Sequence, residues 1–564
     1  MSAVPQREPD RSVNEPRSLL SRPIERRQFL RGGALLLGGA GLSLLTAFRP
    51  ALSVGSAGPG LAVKESARPA PAAQATPKPG GSIKIARSQD SDTLDPHKST
   101  LLVAHEIFYQ IFSCLAYIGL DGKINPAVAE SWQFSNDGKT LTFKLKSGIT
   151  FHDSTPLDAN AVAFTVNRHL SPEIKSPTTW MLGPFDSVQV IDPLTVAYNF
   201  KKPFVPIWAG LGFAYCAPVS PAAVQKYGDD FGRHPVGAGP YQFVSWVPDQ
   251  GITLQKNPNF TAGSPFFKNQ GVGYLDQATY IVYPDDANRI NALLAGDVDV
   301  ITGTGALPPD KAKSLSETQG IKIITGNGPN SWHFMLNTTK GPFADLRVRQ
   351  AVNYAVDQQK LIDLYLSGYG KPGLGIIGSA MPDFDPSITT YPTNPDQARQ
   401  LIQAAGVSGS TVKALLIDTP AYRRMAEIVQ SDLQDVGLTM DIQAMPVGEL
   451  FAAGPKLEAD MVHFGYTWAP DSDIIAGFLG SNGPYNFTGY KNPDWDTKLD
   501  QARGELDPQA RRKIYQQIAD EANKQALFLQ LPEELYLAAA RDYVMDLTLD
   551  AVGFHHLQDV WLNK

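Results

Sequence analysis

Hydrophobic and polar residues alternate in two short stretches of the first half of the chain, which is the pattern of strands with one buried face. In "SIKIA" the buried positions are expected to be Ile83 and Ile85, and "TLTFKLK" (140–146) alternates in the same way. The turn-forming residues "NDG" (136–138) separate "SWQF" from "LTFKL". Because these residues favour tight reversals, the sequence predicts an antiparallel hairpin here.

Helical spacing of apolar residues dominates the second half. In "TNPDQARQLIQAAG", Asn394 can cap a helix, Pro395 suits its first position and Gly406 its end, with an apolar stripe between them. Similar patterns occur in "RRMAEIVQSDLQDVG" (423–437) and in the segment that begins with Asp507-Pro508. Alternating strands and helices of this length predict an α/β protein with more than one lobe.

The N-terminal segment has the layout of an export signal. Arg26 and Arg27 precede an uncharged run of seventeen residues, 32–48, which is shorter than the ~20 apolar residues of a spanning helix and is followed by small residues. The arginine pair is similar to the twin-arginine class, which is read by a translocase that exports folded proteins. We expect a signal region at 1–57, a disordered linker rich in Pro, Ala and Gly at 58–80, and a mature chain in the periplasm or on the outer face of the cytoplasmic membrane.

Charge and cysteine content narrow the function further. The formal net charge is −7, and residues 1–57 hold eight arginines and four acids, a net of +4, so their removal leaves about −11. A mature protein this acidic is a poor binder of nucleic acid. Cys114 and Cys216 could pair in an oxidising compartment or could be small buried side chains, and the sequence leaves both readings open.

Signatures of enzymes and cofactor sites are incomplete. "HEIFY" has Tyr109 where a zinc-binding helix needs its second histidine, and "GLGIIG" (373–378) follows Lys371-Pro372 instead of a strand. The sequence contains neither a Gly-x-Ser-x-Gly elbow nor a Gly-x-x-x-x-Gly-Lys loop, and its nine histidines are scattered. The expectation is a protein that is not an enzyme and has no resident metal or cofactor.

Five longer motifs occur in a fixed order: "PAVAESWQFSNDGKTLTFKLKSGITFHDSTPLDANAVAFTVNRHL", "PVGAGPYQFVSWVPDQGITLQKNPNF", "ALLAGDVDVITG", "MLNTTKGPFADLRVRQAVNYAVD" and "NPDQARQLIQAAG". Together they resemble the large extracytoplasmic solute-binding proteins, family 5, of ABC importers that handle peptides, nickel and some oligosaccharides. The resemblance extends from about Gly81 to the C-terminus. One departure is Ser154, because the family usually has glycine after "FHD".

The resemblance implies an α/β, two-lobe periplasmic-binding-protein fold of the Venus-flytrap type, with a third, accessory domain inserted in lobe one. The expected divisions are lobe one at 81–113, 235–310 and 533–564, the accessory domain at 114–234, and lobe two at 311–532. Such lobes close around a ligand by rigid-body rotation. The expected partners are a peptide or other small solute, an ABC permease and ATPase complex in the membrane, and the twin-arginine translocase during export, with the chain itself a monomer.

The resemblance also implies ligand-binding residues. The loop of peptide-binding relatives that corresponds to "FGYTWAPDSD" supplies a carboxylate for the ligand's α-amine, which makes Asp471 the first candidate and Asp473 the second. Both acids could instead cap the helix that starts near Ile474. The aromatic candidates are Tyr466 and Trp468 in the same segment.

Three further candidates lie elsewhere. Trp332 precedes the strand "HFMLN", and Ser88 follows the first strand, at the kind of strand end where α/β sheets bind ligands. Asp418 lies in "LIDTPAY", which has no base for the carboxylate of a short peptide. The interpretation is a binding protein that captures oligopeptides, rather than strict dipeptides, between its lobes and delivers them to a membrane permease.

Two alternatives stay open at this point. The same transport role for an oligosaccharide or for a nickel or other metal chelate fits the same family. A secreted hydrolase is the third hypothesis, and it would need a nucleophile or metal constellation that none of the motifs completes.

Overall fold

The computed structural model describes residues 76–119, 121–467 and 471–564. Within these ranges no helix is both long and apolar enough to cross a membrane. The expected signal region at 1–57 and most of the expected linker lie outside the described residues, as does Trp468.

The strands are β1 Ser82–Arg87, β2 Ala116–Ile118, β3 Ile124–Pro126, β4 Ala129–Phe134, β5 Thr140–Leu145, β6 Phe185–Asp192, β7 Thr195–Phe200, β8 Tyr241–Val247, β9 Gly251–Lys256, β10 Gln277–Val282, β11 Val300–Ile301, β12 Ile321–Asn327, β13 Ser331–Leu336, β14 Gly370–Lys371, β15 Thr411–Ile417, β16 Thr439–Met445, β17 Met461–Tyr466, β18 Phe528–Gln530, β19 Glu533–Arg541, β20 Val544–Met545 and β21 Trp561–Leu562.

The α-helices are α1 Leu102–Ile111, α2 Ala159–Leu170, α3 Ile207–Leu211, α4 Pro221–Tyr227, α5 Asp286–Ala295, α6 Pro309–Ser316, α7 Leu346–Ala355, α8 Gln358–Leu364, α9 Pro395–Ala405, α10 Pro420–Asp435, α11 Val447–Ala453, α12 Ile475–Leu479, α13 Pro493–Gly504 and α14 Pro508–Lys524. Short 3₁₀ turns include Thr179–Leu182, Ala214–Cys216 and Ser472–Ile474.

The largest sheet has the order β12-β19-β11-β1-β10-β9-β8, with β14 added alongside β19. Strand β1 lies inside it, parallel to both β10 and β11. Ile83 and Ile85 are buried, as the alternation in the sequence predicts. This sheet and the elements around it form lobe one.

A second sheet, of order β16-β15-β17-β13-β18, has its own apolar core and forms lobe two. Its helix α9 confirms the predicted boundaries: the Asn394 side chain accepts from the amide of Gln397, Pro395 is the first residue, and Gly406 ends the helix with a left-handed φ of 72°. Helices α10 and α14 begin after the caps Thr419 and Asp507. The α/β class is confirmed.

A four-stranded sheet, β4-β5-β7-β6, forms the accessory domain. The predicted hairpin is β4-β5, in which Phe134 pairs with Leu141, and Gly138 in its turn has φ 66°. Its core is continuous with that of lobe one. Cys114 and Cys216 are both free and buried, so the structure has them as small core side chains.

Two short crossing segments join the two large sheets, one from β12 to β13 through residues 328–330 and one from β18 to β19 through residues 531–532, and the short strand β14 also reaches back from lobe two to pair with the start of β19. The Asn330 side chain ties the crossings together: its amide donates to the Glu534 carbonyl (2.7 Å) and its oxygen accepts from the Glu534 amide (3.0 Å). The sequence placed the start of lobe two at residue 311, whereas β12 pairs with β19 in the lobe-one sheet and the first crossing follows β12.

Candidate ligand-binding cleft

The candidate site lies at the edge of the lobe-two sheet that meets the crossings. Strand β13 begins directly after the first crossing, and its Ser331 pairs with Tyr466 at the carboxyl end of β17. Parallel strands β15 and β17 end at this same edge. Carboxyl ends of strands are where open α/β sheets bind ligands, so this edge is the expected wall of a cleft.

Trp332 lies on β13 at this edge, but its side chain is 2% exposed and belongs to the apolar core of lobe two, so its ligand role stays a prediction. It pairs with Gly465, where a side chain would collide first with the Ser331 carbonyl and then with the backbone and ring of Trp332, so only glycine fits between these groups. The indole contacts two other rings, that of Tyr422 at 5.6 Å and that of His463 at 5.4 Å between centroids. Since β13, β17 and the start of α10 each supply one ring, the cluster is fixed by three elements.

This aromatic cluster carries polar atoms that the protein leaves unsatisfied. Among the residues that the structure describes, Trp332 Nε1, the Tyr422 hydroxyl and His463 Nδ1 are buried without a hydrogen-bond partner. Burial lowers the pKa of His463 to about 3, so its ring is neutral at physiological pH. A buried polar group without a partner costs about 1–3 kcal/mol, so these atoms call for water or a ligand group.

The Tyr466 side chain is already engaged in contacts within the protein. Its ring is buried, and its hydroxyl donates to the carbonyl of Ile376 and accepts from the amide of Gly378 (3.1 Å). The side chain therefore holds the 376–378 loop against β17. A ligand role for Tyr466 stays a prediction, as does that of Trp468, which lies outside the described residues.

Asp471 faces an arginine. Its Oδ1 accepts from Arg511 Nη2 (2.6 Å) and its Oδ2 from Arg511 Nη1 (2.9 Å), which is the paired geometry that makes such ion pairs strong. Oδ1 also accepts from the amide of Asp473 (2.8 Å), so Asp471 caps the 3₁₀ turn Ser472–Ile474. This is the capping role that the sequence left open, and the side chain remains 14% exposed.

Asp473 is deeper and has its own cation. Its Oδ1 accepts from Arg503 Nε (2.8 Å) and from the Tyr515 hydroxyl (3.3 Å). Burial raises the pKa of Asp473 to about 6, and the charge of Arg503 acts against that rise. The sequence did not single out Arg503 and Arg511, because each lies 30 or 40 residues from its acid along the chain.

The remaining two candidates are nearer the surface. The Ser88 hydroxyl donates to the carbonyl of Thr304 (3.2 Å) and is half-buried beside the end of β1. Asp418 is exposed and pairs with Arg423 (2.7 Å), a hydrogen bond that lowers the pKa of Asp418. Neither contact tests a ligand role, so both assignments stay predictions.

Two buried acids at the second crossing were not predicted. Glu533 accepts from the amide of Ser379 (2.6 Å), and Glu534 accepts from the hydroxyl of Tyr365 (2.6 Å). Burial raises the pKa of each to about 7. The signal in the sequence is "LPEELY", where two adjacent acids interrupt an apolar strand directly after a proline.

The accessory domain touches lobe two. The amide of Val205 donates to the carbonyl of Arg503 (2.8 Å), and Lys202 lies 3.6 Å from Asp500. A pocket of about 340 Å³ lies between these segments. Arg503 thus contacts the accessory domain through its backbone and the candidate loop through its side chain.

The described residues form no candidate metal site, because no three His, Cys, Asp or Glu side chains among them are grouped so that they could hold a metal ion. His555 and His556, adjacent in sequence, have separate partners: His555 contacts the Tyr280 hydroxyl (2.9 Å) and His556 contacts Asp550 (2.9 Å).

Two α/β lobes, joined by two crossing segments and carrying an accessory domain, define the class of two-lobed binding proteins that close around a solute. The family model of the bacterial extracellular solute-binding proteins, family 5, matches residues 123–500, more than half of the chain. The chain belongs to this family.

Known relatives agree with that assignment. The glutathione-binding protein GsiB of Salmonella paratyphi A is 27% identical over 493 residues, 85% of this chain and 93% of the relative. NikA from Brucella suis, solved with Fe(III)-EDTA, has a TM-score of 0.77 at 23% identity and covers 86% of this chain and 100% of its own. A dipeptide-binding protein from Pseudoalteromonas sp. SM9913, solved with Met-Leu, has a TM-score of 0.69 at 21% identity, with coverage of 86% and 100%. The solved structures show the shared two-lobe fold.

As a member of this family, the chain is the substrate-binding component of an ABC importer and works outside the cytoplasm with a membrane permease and ATPase. The family is one of solute-binding proteins and not of enzymes.

Proposed function

We propose that this protein captures peptides in the cleft between its lobes and releases them to the permease without chemical turnover. The observation that carries the proposal is the set of hydrogen bonds that the Asp471 carboxylate already accepts. A carboxylate offers about four acceptor positions, and Arg511 and the Asp473 amide use three of them. One acceptor position on Oδ2 remains for the α-amine of a peptide, on a carboxylate that Arg511 holds in place.

The aromatic cluster supports the same ligand class. Trp332 Nε1 can only donate a hydrogen bond, and a peptide backbone offers a carbonyl acceptor at every residue. Peptides that bind as an added strand gain affinity from main-chain hydrogen bonds whatever their side chains. Relatives named for glutathione and for a bound dipeptide make peptides the first class to test.

Oligopeptides fit better than strict dipeptides. A dipeptide binder needs a fixed cation for the ligand carboxylate at a set distance from the amine site. The arginines around the candidate loop are already committed: Arg503 to Asp473, Arg511 to Asp471 and Arg423 to Asp418. Because these three arginines are paired, none of them is a dedicated cation for the C-terminus, which supports a ligand of variable length.

Export by the twin-arginine route and a monomeric state belong to the same proposal. The supports are the arginine pair at residues 26–27 and the family's extracytoplasmic role. Folded export agrees with two lobes whose cores are each complete within one chain.

An oligosaccharide is the second candidate, because sugar hydroxyls can also satisfy Trp332 and Tyr422, and tryptophan faces stack on sugar rings. A nickel or other metal chelate is the third. A chelate brings its own metal ligands, so the lack of a grouped metal site in the described ranges does not count against it, and NikA was solved with such a compound.

The test compares two peptides on two proteins by calorimetry: tri-alanine and N-acetyl-tri-alanine with the wild-type protein and with Asp471→Asn. A charge-assisted hydrogen bond is worth about 1.5–3 kcal/mol, so we expect Asp471→Asn to weaken tri-alanine binding about ten- to a hundredfold. The acetylated peptide, which has no charged amine, should bind both proteins with equal, weak affinity.

Arg511→Gln is the matched control for folding. It breaks the same ion pair, so it should lower the melting temperature about as much as Asp471→Asn does. It keeps the carboxylate charge for the amine and removes only its support, so tri-alanine affinity should fall less than in Asp471→Asn. Equal loss of affinity for both peptides in Asp471→Asn would show that Asp471 is structural only. Binding of neither peptide, together with a sugar or chelate retained by the purified protein, would move the proposal to the second or third candidate.

A further inference from the structure

The motif "GLGIIG" (373–378), which matches the spacing of a dinucleotide loop, lies instead at the hinge between the lobes. The hinge consists of the two crossings, residues 328–330 and 531–532. The motif follows β14, which pairs with the first two residues of β19. The chain thus enters the motif beside the second crossing, and we call residues 370–379 the hinge segment.

The outer two glycines of the motif lie against the two crossings. A Cβ atom at Gly373 would collide with the carbonyl oxygen of Leu531, in the second crossing. A Cβ atom at Gly378 would collide with the carbonyl oxygen of Asn330, in the first crossing. Neither glycine has a left-handed φ, so the close approach of the two backbones, and not the backbone conformation, requires glycine at these positions.

Lobe two holds the hinge segment through its backbone. The three consecutive carbonyls of residues 374–376 each accept a hydrogen bond from a side chain of lobe two. The donors are Asn523 (2.6 Å), Ser331 (3.0 Å) and the Tyr466 hydroxyl. The Tyr466 hydroxyl also accepts from the Gly378 amide (3.1 Å). Because α14, β13 and β17 each supply one donor, the segment is fixed to lobe two.

Lobe one holds the end of the hinge segment. The Ser379 amide donates to Glu533 Oε1 (2.6 Å), and the Ser379 hydroxyl donates to Glu533 Oε2. Glu533 is the first residue of β19, in the lobe-one sheet, and its side chain is buried. Hydrogen bonds shielded from water are stronger than those at the surface, so rotation between the lobes works against this pair.

A hinge absorbs the rotation of two lobes through changes in the φ and ψ angles of a few residues. A third segment that lies against both crossings and is bonded to both lobes removes part of that freedom. We propose that the hinge segment is a clasp that limits the angles the lobes can adopt: the outer glycines seat it on the crossings, and Ser379 ties it to lobe one through Glu533. This role does not depend on which solute the cleft takes.

The experiment measures the distance between the lobes by electron–electron double resonance on the purified protein without added ligand. Spin labels are attached through Asn291→Cys and Glu427→Cys, at exposed positions on helix α5 of lobe one and helix α10 of lobe two. The native cysteines are buried, so they do not compete for the label.

Gly373→Ala and Gly378→Ala each place a methyl group against one crossing. Small shifts at a hinge are amplified across a lobe, so each should change the mean distance by roughly 3 Å or more. Ser379→Ala removes the hydroxyl bond to Glu533 and leaves the amide bond. A net hydrogen bond is worth about a two- to tenfold change in an equilibrium, so Ser379→Ala should raise the population outside the wild-type range by about this factor.

Gly375→Ala and Ser331→Ala are the matched controls. Gly375 is the middle glycine of the motif, and a methyl group there would meet the side chains of Ile388 and Asn523, both in lobe two. Ser331→Ala removes a hydrogen bond to the hinge segment from within lobe two. Both controls should lower the melting temperature about as much as the test variants do, and they should leave the distance distribution as in the wild type.

Two results would overturn the inference. One is a wild-type distance distribution in Gly373→Ala, Gly378→Ala and Ser379→Ala. The other is a change in Gly375→Ala as large as that in the two outer glycine variants. Ser379→Ala removes only a hydroxyl group, so it decides the question even where an added methyl group prevents folding. Because no ligand is added, failure of peptides to bind would overturn the peptide function and leave this inference in place.

Discussion

Ser154 has a backbone φ of 66°, in the left-handed region that glycine adopts at lower cost. It follows "FHD", where the family resemblance implies glycine, and the serine is exposed in the turn after Phe151. The left-handed conformation costs an ordinary residue about 1–2 kcal/mol.

We expect Ser154→Gly to raise the free energy of unfolding by about 0.5–1 kcal/mol, because relief of this cost exceeds the ~0.5–1 kcal/mol that glycine's extra freedom in the unfolded chain takes back. Urea denaturation measures the difference. Ser314→Gly is the control, since Ser314 is exposed within helix α6, and there the same substitution should cost about 0.5 kcal/mol. A destabilised Ser154→Gly would mean that the turn is not strained.

Glu534 makes the folded protein less stable as the pH rises, whereas an acid in an ion pair makes it more stable. Its pKa is raised to about 7 by burial, above the usual 4.5, so the folded protein holds a proton that the unfolded chain has lost. The stability from this group is complete below pH 4.5 and is lost as the pH rises through 7. Glu533, with the same raised pKa, acts in the same direction.

We therefore expect Glu534→Gln to lose less stability than the wild type between pH 5 and pH 8, because glutamine can still accept from Tyr365 and never ionises. Urea denaturation at the two pH values measures the change in the free energy of unfolding. Part of that change should remain in Glu534→Gln, because Glu533 is still present. Glu458→Gln, at an exposed position, should keep the wild-type slope. Equal slopes in the wild type and Glu534→Gln would show that the acid is ionised in the folded state.

At the scale of elements, the features that could be predicted from the sequence are those decided by neighbours along the chain. Helix α9 carries its cap, first-turn proline, apolar stripe and terminal glycine within thirteen residues, 394–406, and the β4-β5 hairpin carries its turn between its two strands. These local signals agree with the final fold, so the sequence alone is enough.

The features that could not be predicted depend on pairings between distant segments. Ile321 of β12 pairs with Arg541 of β19, and this pairing puts β12 in lobe one and moves the first crossing beyond residue 311. The partner of Asp471 is likewise a distant residue, Arg511, at the start of α14. Periodicity indicates where α14 begins, but not which of its side chains reaches the loop.

At the scale of the whole molecule, the accessory domain contacts lobe two directly. Lys202 lies 3.6 Å from Asp500, with side chains 57% and 63% exposed, so the pair contributes little to the stability of either part. Next to it, Arg503 accepts from Val205 through its carbonyl and pairs with Asp473 through its side chain. Arg503 therefore links this contact to the candidate loop, and we expect the contact to act as a latch that favours the closed form.

The latch can be tested without knowing the ligand, because it predicts a change in the balance of open and closed forms. Lys202→Glu places two like charges at this contact, and an exposed pair is worth about 0.2–1 kcal/mol, so reversal should shift the balance toward the open form by about 1.4-fold to fivefold. Small-angle X-ray scattering should report a larger radius of gyration, and the melting temperature should be unchanged.

The charge swap Lys202→Glu with Asp500→Lys should restore the wild-type radius of gyration. Lys201→Glu makes the same change of charge at a neighbour that forms no ion pair within the described ranges, and it should have no effect. A wild-type radius of gyration for Lys202→Glu at low salt would mean that closure does not depend on this contact, whereas expansion that the charge swap reverses would tie the two lobes' movement to this one surface.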